Sequence, residues 1–349
     1  MRYAGCVNKV FARDKARILA LVAFLGASLS LNSAAQADSI KIGTVRVAAF
    51  APLFVAEEKG YFAAEGVPAQ LVFFEAAQPV AVATVSGAID FGVAAMTAGF
   101  YNLAGEGALK LIAAASHEHA GFETQAFLVS DHAFAGGLTS FKDLPGHSLA
   151  VTGLGGPPVY VVGGILAEKF GFDFKTIKLV PLNTMPNINS ALAGGQVDFT
   201  LISLLGAMGD YVKSKQVHLL GWVGDVAPWQ FGAVFTATKT ADDRGDVVER
   251  FLRAYRKGAR DYHNAVTGPD GKRQDGPESA AIVAIIAKYV EASPATVTQG
   301  LPYVDVTARL DAADIVHQVE WYKSQGVLKD NVDAKTIIDK RYTIPLPSS

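Results

Sequence analysis

One pattern of residues occurs twice in this chain of 349 residues. The first copy reads EEKGYFAAEGV and ends in SGAIDFG, and the second reads AEKFGFDF and ends in SALAGGQVDFT. Glu58 precedes Asp90 by 32 positions, and Glu168 precedes Asp198 by 30. The similar order and spacing predict two α/β lobes built on one βαβαβ plan. Two such lobes imply a cleft between them, where small ligands usually bind.

Short apolar segments alternate with helical ones along the rest of the chain. The predicted strands are 41–47, 69–74, 89–94, 148–153, 177–182, 197–203, 217–224 and 232–238. Shorter predicted helices begin near Pro52, Pro79 and Pro157, because proline suits the first helical turn. Longer helices are predicted at 246–266, 278–292 and 311–327. This alternation predicts a mostly parallel sheet in each lobe, with helices on both faces.

The first 37 residues have the composition of a secretory signal peptide. Five basic residues occur in the first 17 positions, an apolar stretch follows at 18–31, and Ala35-Gln36-Ala37 is an A-x-A cleavage motif. A membrane anchor is the alternative, but about 14 apolar residues are fewer than the roughly 20 that span a bilayer. We therefore expect cleavage after Ala37 and export of the mature protein to the periplasm.

The one cysteine of the chain, Cys6, lies in this leader, so the mature protein is expected to have no disulfide and no cysteine metal ligand. Its 312 residues are enough for two domains. Cleavage removes five basic residues and one acidic residue, which changes the net charge from −2 to −6. A mildly acidic surface argues against nucleic acid or an anionic membrane as the partner.

Four segments together resemble a known family: AFAPLFVAEEKGYFAAEGV at 49–67, SGAIDFG at 86–92, FKDLPGHSLAV at 141–151 and ALAGGQVDFT at 191–200. Their order and spacing are similar to those of the SsuA/THI5-like, or NMT1-like, periplasmic substrate-binding proteins of nitrate, sulfonate and taurine ABC importers. The resemblance covers nearly the whole mature chain.

This resemblance implies a type II periplasmic-binding fold, in which two α/β lobes joined by two crossover strands close on a ligand. By analogy the first lobe comprises residues 38–128 plus 232–349, and the second comprises 129–231. The crossovers correspond to ETQAFLVS at 123–130 and GAVFTAT at 232–238. The resemblance also implies a monomeric receptor that binds a small organic molecule and delivers it to an ABC permease in the inner membrane.

The ligand site of such a fold is expected beyond the carboxyl ends of the strands. In the first lobe these ends place Phe50, Ala51, Gln78, Met96 and Thr97 at the cleft, and in the second lobe Thr152, Asn183 and Ser203. Thr97 is also suited to a simple helix N-cap, a role that requires no ligand.

The segment TGLGGPP, which begins at Thr152, stands directly before a predicted helix. Gly155 and Gly156 allow backbone N–H groups to approach a ligand, and a helix N-terminus favours an anion. The dinucleotide fingerprint is incomplete, because Pro158 stands where its last glycine is required. The segment therefore predicts an anion site, and a tight loop without a ligand is the alternative.

Aromatic residues near the predicted strand ends are candidates for an apolar wall. We predict Phe50, Tyr160 and Trp229 at the ligand site and Trp222 in the core, the usual environment of aromatic residues.

His117-Glu118-His119 is the one pattern that suggests a metal. A zinc site usually needs three or four ligands, and no third one stands at a useful spacing, so a pair of loop histidines is the preferred interpretation and no metal is predicted. His117 remains a candidate for contact with the ligand, because its strand also ends toward the cleft. Arg46, in the first predicted strand, either pairs with a carboxylate or holds an anionic ligand.

Catalytic motifs are absent: there is no nucleophile elbow, no P-loop and no H-E-x-x-H. Asp90 and Asp198 recur at equivalent places and follow glycine turns, so we predict a structural role for both. The leading hypothesis is a receptor without a cofactor that binds a sulfonate or an aromatic carboxylate. The alternatives are a receptor for a thiamine-type pyrimidine with Glu75 as its partner, an enzyme on the same fold, and a sensor lobe that serves a membrane kinase.

Overall fold

The computed structural model describes residues 39–203 and 207–347, which form two five-stranded sheets. The first sheet contains β1 (Ile40–Thr44), β2 (Ala69–Phe73), β3 (Phe91–Ala95), β4 (Leu109–Glu118) and β10 (Trp229–Ala237). The second contains β5 (Gln125–Ser130), β6 (Ser148–Val151), β7 (Lys178–Pro181), β8 (Phe199–Ser203) and β9 (Val217–Trp222).

The two sheets have the same topology, β2-β1-β3-β10-β4 in the first and β7-β6-β8-β5-β9 in the second. In each sheet the first three strands of this order are parallel, and the fourth is antiparallel to both of its neighbours. The antiparallel strand of each sheet enters it directly from the other sheet. Strand β5 follows β4 of the first sheet along the chain, and β10 follows β9 of the second. The predicted two-lobed α/β fold with mostly parallel sheets is therefore confirmed.

Helices connect and cover the strands. They are α1 (Ala51–Glu58), α2 (Tyr61–Ala64), α3 (Ala77–Val85), α4 (Ala98–Gly105), α5 (Asp131–Ala135), α6 (Pro157–Tyr160), α7 (Ala167–Phe170), α8 (Met185–Ala193), α9 (Ala207–Lys213), α10 (Val223–Val226), α11 (Thr238–Asp243), α12 (Gly245–Val266), α13 (Ser279–Val290), α14 (Pro294–Thr298), α15 (Ala312–Ser324) and α16 (Ala334–Ile337). A π-helical turn (Val161–Leu166) joins α6 to α7, and 3₁₀ turns lie at Ala48–Phe50, Phe141–Asp143 and Phe174–Thr176.

Two short connections join the lobes, one between Glu118 and Gln125 and the other between Trp222 and Trp229. The predicted lobe boundaries at 128/129 and 231/232 fall inside β5 and β10, the antiparallel strands that follow these connections. Where a hinge divides the chain stays a prediction.

The first predicted strand is too long at its carboxyl end. Strand β1 ends at Thr44, whose carbonyl accepts a hydrogen bond from Phe74, and the backbone then turns so that Val47 N–H bonds to Val45 O at 2.9 Å. Arg46 is consequently a loop residue, contrary to the sequence-based prediction.

The first lobe is held together by close contact between α1 and α12. A Cβ atom added to Gly258 of α12 would lie 2.3 Å from the carbonyl oxygen of Pro52, so the two helix backbones touch at this point. Beneath them the ring of Phe91 in β3 stacks on Phe251 with a centroid distance of 4.0 Å. These contacts pack α12 closely against both α1 and the first sheet.

The two repeated aspartates perform the same structural task. Asp90 accepts a hydrogen bond from the backbone N–H of Lys41 at 2.8 Å, and Asp198 accepts one from that of Ser148 at 2.7 Å. Each carboxylate thus connects the turn before the third strand of its lobe to the start of the first strand. The predicted structural role of both residues is confirmed.

Within residues 39–203 and 207–347, no helix is long and apolar enough to cross a membrane. The predicted signal peptide and its cleavage site lie outside the described residues.

Candidate functional site

The lobes meet at the carboxyl ends of their parallel strands. After β3, the backbone N–H of Ala98 donates a hydrogen bond to the carbonyl of Gly155, which follows β6, at 3.0 Å. The two edges predicted to form the cleft therefore face each other across this contact. Exposed apolar side chains, Val47, Leu154 and Met185, follow β1, β6 and β7 respectively.

A row of four aromatic rings runs from the first lobe to the second along this junction. Phe50 stacks on Phe231 with centroids 6.2 Å apart, Phe231 meets Trp229 edge to face at 5.6 Å, and Trp229 lies 5.5 Å from Tyr160. We call these four residues the aromatic row. Three of them are among the predicted site residues, and the row joins residues that lie far apart in the sequence.

Phe231 is the member that sequence reasoning missed. Gln230 and Gly232 pair with the consecutive residues His117 and Ser116, so Phe231 is the extra residue of a β-bulge. A bulge redirects a side chain, and this ring is only partly buried while Trp229 is 3% exposed. The motif WQFG before the predicted return strand was the available signal, but the pairing that creates the bulge depends on β4.

The glycine loop after β6 makes contacts with the rest of the protein. Gly156 precedes α6 with an extended backbone, as an N-cap residue does, and its N–H bonds to Gly153 O at 3.1 Å. The hydroxyl of Tyr322 in α15 donates to the carbonyls of Gly155 and Gly156, at 3.3 Å in each case. A Cβ atom at Gly155 would lie 2.9 Å from that of Ala98, so this glycine permits the close approach of the lobes. Whether the loop binds an anion stays a prediction.

Thr97 and Gln78 form a polar pair on the first-lobe side of the junction. Thr97 is the N-cap of α4 and accepts a hydrogen bond from Phe100 N–H at 3.0 Å, while its hydroxyl donates to Gln78 Oε1 at 2.6 Å. The N-cap role of Thr97 is therefore present, and its contact with a ligand stays a prediction. The Gln78 amide packs over Gly99, where a Cβ atom would lie 2.4 Å from it.

The Tyr160 hydroxyl is engaged by α15. It donates to Asp314 Oδ1 at 2.8 Å and lies 2.8 Å from His317 Nδ1. Burial raises the pKa of Asp314 although Gln318, Gln230 and Tyr160 all donate to it. Burial and the neighbouring Asp314 raise the pKa of Tyr160 well above its usual range, so the phenol stays protonated. Because its hydroxyl contacts α15, Tyr160 contributes only its ring to the aromatic row.

A surface depression of about 430 Å³ borders the same contact. Its lining includes Glu168, Lys169 and Pro228 together with Asp314 and His317. The Tyr160 ring lies against both Trp229 and His317, so this depression and the aromatic row share one tyrosine.

The remaining predicted residues are dispersed. Ala51 begins α1 and is buried, and the sulfur of the buried Met96 accepts a hydrogen bond from Tyr101. Thr152 and Asn183 are exposed, and Asn183 has a left-handed backbone with φ 67°. Ser203 pairs with Gln125 in the register of β8 and β5, and its side chain lies outside the described part of the chain.

His117 faces the C-terminal segment. Its Nε2 lies 3.3 Å from the carbonyl of Arg309, and its ring meets Tyr303 edge to face. Burial lowers the pKa of His117 to about 4, which leaves the ring neutral at pH 7. Among the described residues no group of three His, Cys, Asp or Glu side chains is arranged to hold a metal.

The structure also shows the surroundings of Arg46, Glu75 and Trp222. Arg46 pairs with Glu291 at 3.2 Å, donates to Tyr289 O and lies 3.8 Å above the Phe73 ring, so it has protein partners. Glu75 is exposed. Trp222 is partly buried and packs against the smaller core of the second lobe, so its predicted core position is only partly confirmed.

Comparisons with known proteins agree with this architecture. The family model described as NMT1/THI5 like matches residues 47–266. No curated protein matches the sequence. The alkanesulfonate-binding protein SsuA from Xanthomonas axonopodis pv. citri, bound to MOPS, is 18% identical, with 86% of this chain and 98% of that one covered and a TM-score of 0.66.

Two further solved structures share the fold. The aliphatic sulphonate binding protein SsuA from Escherichia coli is 16% identical, with coverage of 89% and 94% and a TM-score of 0.66. The nitrate-binding protein NrtA from Synechocystis PCC 6803 is 13% identical, with coverage of 86% and 85% and a TM-score of 0.62. At these identities the likeness extends to the fold alone.

Proposed function

The chain belongs to the NMT1/THI5-like family, and from that premise we propose that it is the solute-binding component of an ABC importer. The solved structures with this fold include sulfonate- and nitrate-binding proteins of the periplasm. Export to the periplasm after loss of the leader, a monomeric state and an inner-membrane permease as the partner are parts of the same proposal.

The aromatic row is the observation that carries the proposal. It lies where the two lobes meet, and the exposed Val47, Leu154 and Met185 add apolar surface at the same edges. Phe50, Tyr160 and Trp229 are 0–3% exposed while the lobes meet, so a small ligand with an apolar body would reach the row when the lobes separate and would exchange its contact with water for contact with both lobes as they close. Binding to both lobes at once favours the closed arrangement, because the ligand binds that arrangement more tightly.

The hinge would lie in the two connections, residues 119–124 and 223–228. Closure brings the backbone of Ala98 against Gly155 and excludes water from the ligand. The closed surface is the one that a permease would recognise.

Two ligand head groups follow from the sequence, and both remain proposals. A sulfonate or aromatic carboxylate would be held by backbone N–H groups of the glycine loop, and a pyrimidine would use a carboxylate such as Glu75. Arg46 is paired with Glu291, so an acid bound at the junction would not need to rely on it. With either head group, the ligand is expected to have an apolar body.

A thermal-shift screen of sulfonates, aromatic carboxylates and pyrimidines tests the proposal. A solute at 100 times its Kd stabilises the native protein by about 2.7 kcal/mol, which raises Tm measurably. Small-angle scattering with such a solute is expected to show a smaller radius of gyration.

Trp229→Leu is expected to weaken binding of the solute at least tenfold, roughly 1.4 kcal/mol, because it removes one ring of the row. Trp222→Leu is the matched control, since Trp222 packs in the second-lobe core, and its affinity is expected to change less than about threefold. A bound solute that leaves both the scattering profile and the Trp229 dependence unchanged would contradict the proposal.

A further inference from the structure

Helix α15 is attached to the first sheet and also contacts the second lobe. The side-chain amide of Gln318, in the middle of the helix, donates to Gln230 O in β10 at 3.1 Å. His317, the residue before it, approaches Tyr160 and Glu168 of the second lobe. Its Nδ1 lies 2.8 Å from the Tyr160 hydroxyl oxygen, and its Nε2 lies 3.5 Å from Glu168 Oε1. One histidine of α15 therefore has both ring nitrogens directed at the second lobe.

The Tyr160 hydroxyl has a single proton and two neighbours at the same distance. It donates to Asp314 Oδ1 at 2.8 Å, and burial together with Asp314 raises the pKa of Tyr160 above its usual range, so the phenol keeps its proton. Since that proton is directed to Asp314, the 2.8 Å contact with His317 is a hydrogen bond only if Nδ1 of the ring carries a proton.

Glu168 distinguishes between the two forms of the His317 ring that have a proton on Nδ1. In the neutral form, the lone pair of Nε2 faces the Glu168 carboxylate, so two acceptors meet. In the charged form, the ring donates to Tyr160 and to Glu168 at once. If Asp314 instead holds a proton and donates to the phenol, the phenol donates to Nδ1, and this arrangement also binds one extra proton. The observed contacts are therefore best satisfied when the cluster has bound a proton.

We propose that His317 is a proton-dependent latch, which holds the second lobe against α15 when the cluster is protonated and weakens when the proton leaves. This inference rests on the hinge opening that is part of the proposed function, and it adds a regulation by pH. Opening would separate His317 from Tyr160 and Glu168, so closure and proton binding favour each other. Histidine changes its charge between about pH 5 and pH 8. The latch is consequently strongest at the acid end of this range and weakens as pH rises.

Most charged groups around His317 are acidic. The titratable residues that face it are Tyr160 on α6, Glu168 and Lys169 on α7, and Asp314 and Glu320 on its own helix. The Lys169 ammonium is directed to Val226 O, at 2.7 Å. The π-helical turn and β10, which also contact α15, contain no charged residue, and the one charged residue of α16, Lys335, is exposed. A charged His317 ring therefore has carboxylates beside it in the closed arrangement.

Hydrogen exchange of the Ala98 amide measures lobe opening without any ligand. This N–H bonds to Gly155 O across the lobes, so its protection factor reports the ratio of closed to open molecules. The Phe74 amide, which bonds to Thr44 O at 2.8 Å within the first lobe, corrects for global unfolding. Exchange is measured by NMR on the mature protein at about pH 5.5 and about pH 7.5, within the histidine range. The protection of Ala98 relative to Phe74 is expected to be at least about threefold larger at the lower pH.

Variants assign this effect to the latch. His317→Gln is expected to abolish the pH dependence of the Ala98 protection, and Glu168→Gln is expected to reduce it. His218→Gln is the matched control, because His218 pairs with Asp131 at 2.7 Å but both residues belong to the second lobe. This variant is expected to behave like the wild type. Retained protection of the Phe74 amide shows that each variant is folded.

Two results would overturn the inference: a wild-type protein whose Ala98 protection does not depend on pH, or a pH dependence that persists in His317→Gln. Neither result affects the proposed function, which is judged by the thermal-shift screen and by scattering with a bound solute. Conversely, a screen that finds no solute would count against the proposed receptor, while the exchange measurement would still decide whether the latch exists.

Discussion

The two lobes share one topology but differ in what holds them in place. In the first lobe the 22-residue α12 lies directly on α1, and their backbones touch at Gly258. In the second lobe the helical segment after the glycine loop is interrupted by a π-helical turn, and β7 is half-exposed. The same βαβαβ plan therefore gives one lobe covered by closely packed helices and one lobe with a thinner covering.

Helix α15 compensates for this difference. It follows the return strand in the chain, yet Trp321 fills the space beside Gly163, and Tyr322 donates to the carbonyls of the second-lobe glycine loop. Asp314 holds Tyr160 from the same helix. The comparison teaches that the second lobe is positioned from outside, by contacts with α15 that the proposed hinge opening would break, whereas the first lobe is stabilised from within.

The largest expected effect on the free energy of unfolding comes from replacing two glycines, one in each lobe. Gly258→Ala forces a methyl group to within 2.3 Å of Pro52 O, a backbone atom, and is expected to destabilise the protein by about 3 kcal/mol in urea unfolding. Gly163→Ala meets the side chains of Trp321 at 2.2 Å and Phe174 at 3.0 Å, and we expect only about 1 kcal/mol because side chains move more easily than a backbone carbonyl. Equal costs for the two variants would break the distinction between internal and external support.

Replacing Asp90 or Asp198 by alanine tests whether the stability of the two lobes depends equally on the carboxylate that precedes the third strand. Asp198 accepts hydrogen bonds from Ser148 N–H and Oγ–H, and Asp198→Ala is expected to cost about 2 kcal/mol because it leaves a part-buried N–H unpaired. Asp90→Ala is expected to cost about 1 kcal/mol, since its bond to Lys41 is exposed to water and its ion pair with Arg244 is partly exposed. The Asn variants retain an acceptor and are expected to recover part of each loss. Denaturant titrations that rank Asp90 above Asp198 would contradict this order.

The pH dependence of stability tests the two buried titratable residues at the end of β4, where the first lobe approaches the second. Glu118 has its pKa raised from 4.5 to about 8 by burial, so its contribution to stability is complete below pH 4.5 and is lost as pH rises to about 8. His117 has its pKa lowered from 6.5 to about 4, so stability is lost as pH falls from 6.5 to 4. The two effects oppose each other between pH 4.5 and pH 6.5, so the expected Tm profile has a flat maximum over that range and falls on either side of it.

Glu118→Gln is expected to flatten the alkaline limb of that profile, and His117→Gln is expected to flatten the acid limb. Scanning calorimetry from pH 4 to pH 9 separates the two limbs. If the alkaline limb persists in Glu118→Gln, the carboxyl is not the group that titrates there.

The smallest expected effect comes from removing one of two tyrosine hydroxyls whose hydrogen bonds are equally long. Tyr322 donates to Gly155 O across the lobes at 3.3 Å, and Tyr255 donates to Ala114 O within the first lobe, also at 3.3 Å. Tyr322→Phe is expected to weaken binding of a solute about threefold, near 0.7 kcal/mol, because its bond exists only while the lobes meet. Tyr255→Phe is expected to leave affinity unchanged at a similar small cost in stability. Identical affinities for the two variants, measured by calorimetry, would show that α15 does not support closure.

Much of the fold follows from local sequence. The spacing from Glu58 to Asp90 and from Glu168 to Asp198 reflects similar successions of helices and strands, and each aspartate stands directly before its strand. Such signals depend on residues within a few positions of one another, which is why both lobes and the structural role of the aspartates could be predicted. The N-cap at Thr97 is equally local.

The candidate site depended on contacts that no local pattern encodes. Phe231 enters the aromatic row because β10 gains one residue against β4, a register set by two strands more than 100 residues apart in the sequence. Arg46 leaves the predicted strand because β1 loses its partner beyond Phe73 and Phe74. Ser116 Oγ and Glu118 Oε2, near the end of β4, are buried without a hydrogen-bond partner, which likewise depends on packing between distant parts of the chain. The sequence by itself determined two similar lobes and the ends of their strands, because periodicity and turn residues act over short distances. Only the tertiary structure decided which side chains meet between the lobes and which polar atoms are left without a partner, because both depend on how distant strands align and how α15 spans the junction.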